Sequence, residues 1–307
     1  MRHAFVDSLV ELAERDESVV LLTGDLGYSV LEPFAERHPE RFFNVGVAEQ
    51  NLIGLATGLA SFGFKPFAYS IATFASMRAY EFVRNGPVLH DLPVRVVGVG
   101  EGFDYGPNGA THFPLEDVAL MRAQPRLAVV APADLAQARS AVLALADLPG
   151  PAYLKLGKGG RAVPGLDGRF GLGRAELIGE GEDVALLAYG SMVAEAVDAA
   201  ALLEVEGIRA TVGVIASLAP PPVGDLVELL DRVPLAIALE AHYVTGGLGS
   251  LVSEVVAERS LGCRVVRQGV TDLPPGDTGS AAFLNARHGL TARAVARSAM
   301  SVLESSR

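Results

Sequence analysis

Short β-branched runs recur along this chain, separated by longer Ala-, Leu- and Glu-rich stretches of helical period. That alternation restricts the fold to α/β units wound around a mainly parallel sheet. In the first half, strands are expected at Val19 to Thr23, Lys65 to Tyr69, Val94 to Gly98, Leu127 to Val130 and Ala152 to Leu156. These runs are almost wholly apolar, so the sheet should be buried on both faces. In the second half, strands near Val184 to Tyr189, Arg209 to Ile215, Leu235 to Glu240 and Cys263 to Gly269 suggest a smaller open sheet. Between the halves, from Gly157 to Gly181, lie Gly159-Gly160, Pro164-Gly165 and Gly171-Leu172-Gly173, the signature of a surface connection. The expected class is α/β, with two open, mainly parallel three-layer sheets: a domain over 1–160, a linker over 161–181 and a second domain over 182–307. No repeat of fixed period and no low-complexity tract interrupts the pattern.

Composition narrows the functions available. With 307 residues, 50% hydrophobic and 20% charged, the chain can bury two sizeable cores. Its net charge of -11 is spread along the sequence, which argues against a nucleic-acid partner or an anionic membrane surface. The single cysteine, Cys263, sits in an apolar context and reads as a packed thiol rather than a nucleophile or ligand. Met1 to Phe5 run straight into an amphipathic pattern without a signal-peptide core, and no apolar run approaches the ~20 residues that cross a bilayer. A cytoplasmic protein is expected.

The common chemical signatures fail: there is no P-loop, no metal-spaced Cys/His cluster and no Gly-x-Ser-x-Gly elbow. Gly98-Val99-Gly100-Glu101-Gly102 resembles a dinucleotide loop, but its third glycine is misplaced and it reads as a turn. Gly54 and Gly58, four apart on a helical stretch, suggest a close approach of that helix to another backbone. The unusual segment is Val45-Gly46-Val47-Ala48-Glu49-Gln50-Asn51, where polar side chains stand between a buried-type strand and an apolar helix. A helix-start acid gains from the helix dipole; a buried acid needs a chemical reason. Local sequence leaves both readings of Glu49 open.

Three motifs in order, Gly46-Val47-Ala48-Glu49-Gln50-Asn51, Phe74 with Arg78-Ala79-Tyr80-Glu81, and Gly106-Pro107-Asn108-Gly109-Ala110-Thr111-His112, closely resemble the transketolase pyrimidine-binding domain. The resemblance continues through Pro132-Ala133-Asp134, Gly150 to Lys158, Glu240-Ala241-His242 and Gly246-Gly247-Leu248-Gly249-Ser250, and so covers nearly the whole chain. It implies the C-terminal, or β, subunit of a split transketolase, which moves a two-carbon ketol unit from a ketose to an aldehyde with thiamine diphosphate. In that family a glutamate at the position of Glu49 hydrogen-bonds the aminopyrimidine ring from a poorly solvated site, and the cofactor does the covalent chemistry. Phe74 would pack on the ring, Ile71 and Met77 would line it less aromatically than usual, and Asp25 and Arg78 would stand near the cofactor. His112 would contact the ketol end of the donor sugar. His242 would serve packing or an interface.

The same resemblance implies a partner. The family binds Mg²⁺ through a Gly-Asp-Gly motif that this chain lacks; Gly24-Asp25-Leu26 and Gly276-Asp277-Thr278 only approach it. The metal ligands would come from an N-terminal, diphosphate-binding subunit, giving an α2β2 heterotetramer whose interface lies on the first half of the chain. Substrate contacts are altered too. Arg2 and Ser29 match phosphate-contacting positions, but Lys158 replaces an arginine fork with a point charge. Gly100 replaces a histidine and Asn108 an aspartate. A sugar-phosphate pocket reduced in this way implies that one substrate is a modified or unphosphorylated sugar. Competing readings are a 1-deoxyxylulose-5-phosphate synthase, against which Asn51 speaks, the β subunit of a 2-oxo-acid dehydrogenase, and a catalytically silent scaffold.

Overall fold

The computed structural model describes residues 1–305. Its strands are β1 (Val19–Thr23), β2 (Phe42–Asn44), β3 (Lys65–Ile71), β4 (Arg95–Val99), β5 (Ala128–Val130), β6 (Ala152–Leu156), β7 (Glu176–Ile178), β8 (Val184–Ala188), β9 (Ala210–Val214), β10 (Ser217–Ala219), β11 (Leu235–Tyr243) and β12 (Arg264–Val270). Seven form one sheet, in the order β10-β5-β6-β4-β3-β1-β2, and five form another, in the order β12-β11-β8-β9-β7. All pairings are parallel except those of β10 with β5 and β7 with β9, each at a sheet edge.

Strand periodicity explains how the layers form. Along β1, Val19 and Leu21 point to one side of the first sheet, where they meet Phe5, Leu9 and Val142 from the helices Arg2–Arg15 and Leu135–Ala146. Val20 and Leu22 point to the other, toward Leu52, Ile53 and Ala56 of the helix Glu49–Ser61. The second sheet alternates likewise. Leu186 and Ile237 pack under the helices Met192–Val205 and Ala292–Ser305, whereas Ala185 and Leu187 join the same core as Val20 and Leu22. A single apolar layer therefore lies between the two sheets and fastens them together.

The strands anticipated from sequence are present, and three short ones were not anticipated: β2, β7 and β10. β7 falls inside the expected linker and closes the edge of the second sheet. β10, far along the second half, returns to the first sheet and pairs with β5. The close helix approach expected at Gly54 and Gly58 does not occur. An added methyl at Gly54 would lie 3.8 Å from the Phe82 ring, and at Gly58 it would meet nothing within 4 Å. Both glycines face outward, and the apolar residues near them, Val47, Leu55 and Phe62, are exposed. Cys263 is buried, and desolvation pushes its thiol up to about 11. No described helix is long and apolar enough to cross a membrane.

Candidate active site

Strand order locates the site. The chain runs from β1 to β2 on one side and returns to β3 on the other, so the connection direction reverses between β1 and β3. In open α/β sheets the crevice at the carboxyl ends of such a pair is the natural ligand site. Glu49, the first residue of the helix Glu49–Ser61, enters that crevice and is fully buried. Ser70 at the end of β3 donates through Oγ to Glu49 Oε1 at 3.0 Å. On the β1 side, Gly24 borders the carboxylate, and an added Cβ there would sit 3.6 Å from Oε1, in ordinary contact.

The other carboxylate oxygen, Oε2, accepts from Arg78 Nη1 at 2.6 Å. Arg78 ends a π-helical turn, Phe74–Arg78, that directly follows β3. The guanidinium carbon lies 4.6 Å from the centroid of the Phe74 ring. His112 meets the same ring edge-on at 5.2 Å, and Tyr105 stands 6.1 Å beyond His112. Lys158 Nζ caps the row, 4.1 Å from the Tyr105 centroid. Glu49, Arg78, Phe74, His112, Tyr105 and Lys158 thus form one continuous line of contacts along the crevice.

Arg2 flanks the Lys158 end. Its charge acts on both Tyr69 and Tyr105, and its Nε is buried without a hydrogen-bond partner among the described residues. A buried donor of this kind is suited to an acceptor from a ligand. Asp104 steadies the loop by accepting from the backbone N–H groups of Glu101 (3.0 Å) and Lys158 (2.8 Å). The remaining sequence candidates lie at the margin. Ile71 ends β3 half-buried, Met77 is partly exposed, and Asn108 is exposed on a single turn after Tyr105. Ser29 is exposed and donates its backbone N–H to Glu32 Oε1 at 2.7 Å.

Asp25 is engaged by residues other than Glu49. It follows β1 in a left-handed conformation (φ 58°) and accepts from Asn44 Nδ2 (2.9 Å) and Tyr28 OH (3.0 Å). The Asn44 bond, then the Tyr28 bond, holds its carboxyl below the usual range. Sequence reading missed Ser70, Asn44, Asp104 and Tyr105. Only Tyr105 carried a signal, as an aromatic residue beside the Gly106-Pro107 turn; the others are short polar side chains whose role depends on register.

Behind the crevice lies a buried polar cluster at the join of the two sheets. Lys155 pairs with Asp117 at 2.7 Å, both fully buried, and Tyr153 OH donates to the other Asp117 oxygen at 2.6 Å. Glu240 accepts the Leu248 and Gly249 N–H groups at 2.7 and 2.9 Å. His242 donates from Nδ1 to the Tyr243 carbonyl and accepts at Nε2 from Ala119 N–H, and burial lowers its pKa to about 4. It is a neutral ring packed between the two halves.

A crevice at the strand-order reversal, with a buried glutamate beside an aromatic face, has the form of a ligand site of the open α/β class. The chain belongs to the transketolase family. Residues 1–160 match the transketolase pyrimidine binding domain and residues 173–295 the transketolase C-terminal domain. Among relatives, the chain is 35% identical over 304 residues to a putative transketolase C-terminal section from Methanocaldococcus jannaschii, covering 98% of this chain and 95% of that one. It is 37% identical over 310 residues to the 6-deoxy-6-sulfo-D-fructose transketolase subunit SqwH of Clostridium sp. (strain MSTE9), covering 99% and 94%. Among solved structures it resembles a split gene transketolase described as an inactive beta4 tetramer, with a TM-score of 0.89, 40% identity and coverage of 99% and 97%. These full-length matches make it a transketolase-type subunit of the C-terminal kind, and favour that reading over the synthase one.

Proposed function

We propose that this chain supplies the pyrimidine half of a thiamine diphosphate site and the ketol-sugar pocket of a two-component transketolase. The carrying observation is the fully buried Glu49 carboxylate at the β1/β3 crevice, beside the Phe74 ring and in line with His112. The residues present fit the ring. Glu49 offers an acceptor in a dry site, and the Phe74 face already accommodates a flat nitrogen-bearing group. When bound, the cofactor supplies the nucleophilic carbon and electron sink for two-carbon transfer. Glu49 would bond the aminopyrimidine ring and share a proton with it, Phe74 would support its face, and His112 would orient the ketol end of the sugar.

No group of three or more His, Cys, Asp or Glu side chains that could hold a metal occurs among the described residues. On the resemblance to the family, whose Gly-Asp-Gly motif does not occur in this sequence, the reading assigns the diphosphate end and its Mg²⁺ to an N-terminal transketolase subunit, in an α2β2 assembly. The exposed Val47, Leu55 and Phe62 beside the Glu49 helix give that subunit an apolar face to cover. The related split enzyme, inactive as a beta4 tetramer, supports dependence on a second subunit. Arg2 and Lys158 beside Tyr105 suit an anionic sugar terminus.

Calorimetry with thiamine diphosphate and Mg²⁺ tests this. Binding is expected when the chain is mixed with the N-terminal subunit and not with the chain alone. Ketol transfer should then appear in the mixture and be lost with Glu49→Gln. Tight Mg²⁺-dependent binding by the chain alone would overturn the division of the site.

A further inference from the structure

Two contacts at Glu49 and Phe74 are made by one flat cation. Arg78 donates Nη1 to Glu49 Oε2 at 2.6 Å while its guanidinium lies over the Phe74 ring at 4.6 Å. A planar, nitrogen-bearing group that bonds this carboxylate and stacks on this ring reproduces the contacts an aminopyrimidine needs. Building on the function proposed above, we infer that Arg78 is a placeholder for the cofactor ring: it keeps the Glu49 carboxyl paired and aligned, and it is displaced when the ring binds.

The argument rests on an asymmetry between the two partners. The Glu49 side chain is 1% exposed and carries the Ser70 bond, so it is fixed at the bottom of the crevice. A buried carboxylate left without a countercharge is strongly destabilising, and Ser70 alone brings no charge. The Arg78 side chain is 40% exposed and is launched from the end of a π-helical turn. It can swing into solvent at little desolvation cost, whereas Glu49 cannot follow. Wide turns of this kind concentrate at functional sites, where they re-aim a side chain. His112 already occupies the Phe74 edge, at an interplanar angle of 71°. Guanidinium and pyrimidine would therefore compete both for the Phe74 face and for Oε2.

A permanent cofactor contact and a displaced placeholder predict opposite signs. In the mixture with the N-terminal subunit, Arg78→Met should bind thiamine diphosphate about tenfold more tightly than wild type, about 1.4 kcal/mol. In the isolated chain, Arg78→Met should lower the melting temperature at neutral pH, and adding Glu49→Gln should recover most of that loss. Unchanged or weaker cofactor binding by Arg78→Met would overturn the inference, as would additive melting shifts in the double variant. Should Arg78→Met fail to fold, Arg78→Lys keeps a charge beside Glu49 but cannot lie flat on Phe74. Tighter binding by that variant supports displacement, and equal or weaker binding overturns it. A wild-type mixture that binds no thiamine diphosphate would remove the functional reading and the placeholder together. Binding by wild type that Arg78→Met weakens removes the placeholder alone.

Discussion

Glu101, just beyond β4 of the first sheet, accepts the backbone N–H of Ser191 from the second half at 2.9 Å, in the space that Gly190 leaves open. Its carboxyl is fully buried, and desolvation raises its pKa to about 7 despite the nearby Lys155. Glu240 is raised to about 7 for the same leading reason. Both groups bind a proton more readily folded than unfolded. The stability they contribute is complete below the ordinary carboxyl pKa of 4.5 and is lost as pH rises through 7. His242 opposes them: lowered from 6.5 to about 4, it costs stability as pH falls through that window. Two carboxyls outweigh one imidazole. Thermal unfolding should therefore show a melting temperature that declines from about pH 5 to about pH 7.5, and Glu101→Gln should flatten the decline. A profile unchanged by Glu101→Gln would show that the carboxyl stays ionised across this range.

The Lys155–Asp117 pair makes a second prediction. Both side chains are fully buried, and Lys155 also donates to the Pro114 carbonyl at 3.2 Å. Lys155→Met should cost about 3–5 kcal/mol in denaturant unfolding, because Asp117 loses its buried partner. Adding Asp117→Leu should restore part of that loss, although Tyr153 then loses its acceptor.

The loop that carries His112 is tied down from the second half. Gly106 O accepts from Thr278 Oγ1 at 2.9 Å and from the Gly279 N–H at 3.3 Å, and an added Cβ at Gly106 would lie 2.2 Å from the Gly279 carbonyl. Gly106→Ala should lift this strap and misplace His112. In the assembled enzyme, kcat/KM should fall by about tenfold or more, with the dissociation constant for thiamine diphosphate unchanged. Thr278→Val should show the same pattern more weakly.

Arg95 is the largest fully buried side chain. Its guanidinium donates to the carbonyls of Leu145, Ala146, Leu148 and Gly150, at the end of the helix Leu135–Ala146 and in the turn beyond it. Desolvation lowers its pKa to about 10, so it remains charged at neutral pH. Arg95→Met should cost about 3 kcal/mol in equilibrium unfolding, since it strands carbonyls that the helix cannot satisfy itself.

How much of this was legible in the sequence depended on period and on motif. Strands such as β1 and β6 announced themselves as short, mainly apolar runs bounded by turn residues, too short for a helix. β2, β7 and β10 are three residues each, too short for a period to show, and their existence depends on the neighbour they pair with. Glu49, Phe74 and His112 were legible through their motifs, and the fold brings them into one row. Arg78 was expected near the cofactor from its motif but not as the partner of Glu49, because the π-helical turn that aims it leaves no mark on helical spacing. Arg95 was hidden entirely inside an apolar strand, and its acceptors lie about fifty residues away.

β10 makes the two halves of the chain unequal as folding units. The first sheet has all its other strands once Leu156 is made, yet β5 keeps a bare edge until Ser217–Ala219 arrives from beyond β9. An unpaired edge is a template for strand addition from another chain. A fragment cut at the glycine-rich connection would carry that edge permanently. The first module is therefore not separable at its sequence boundary without leaving that edge open to strand addition.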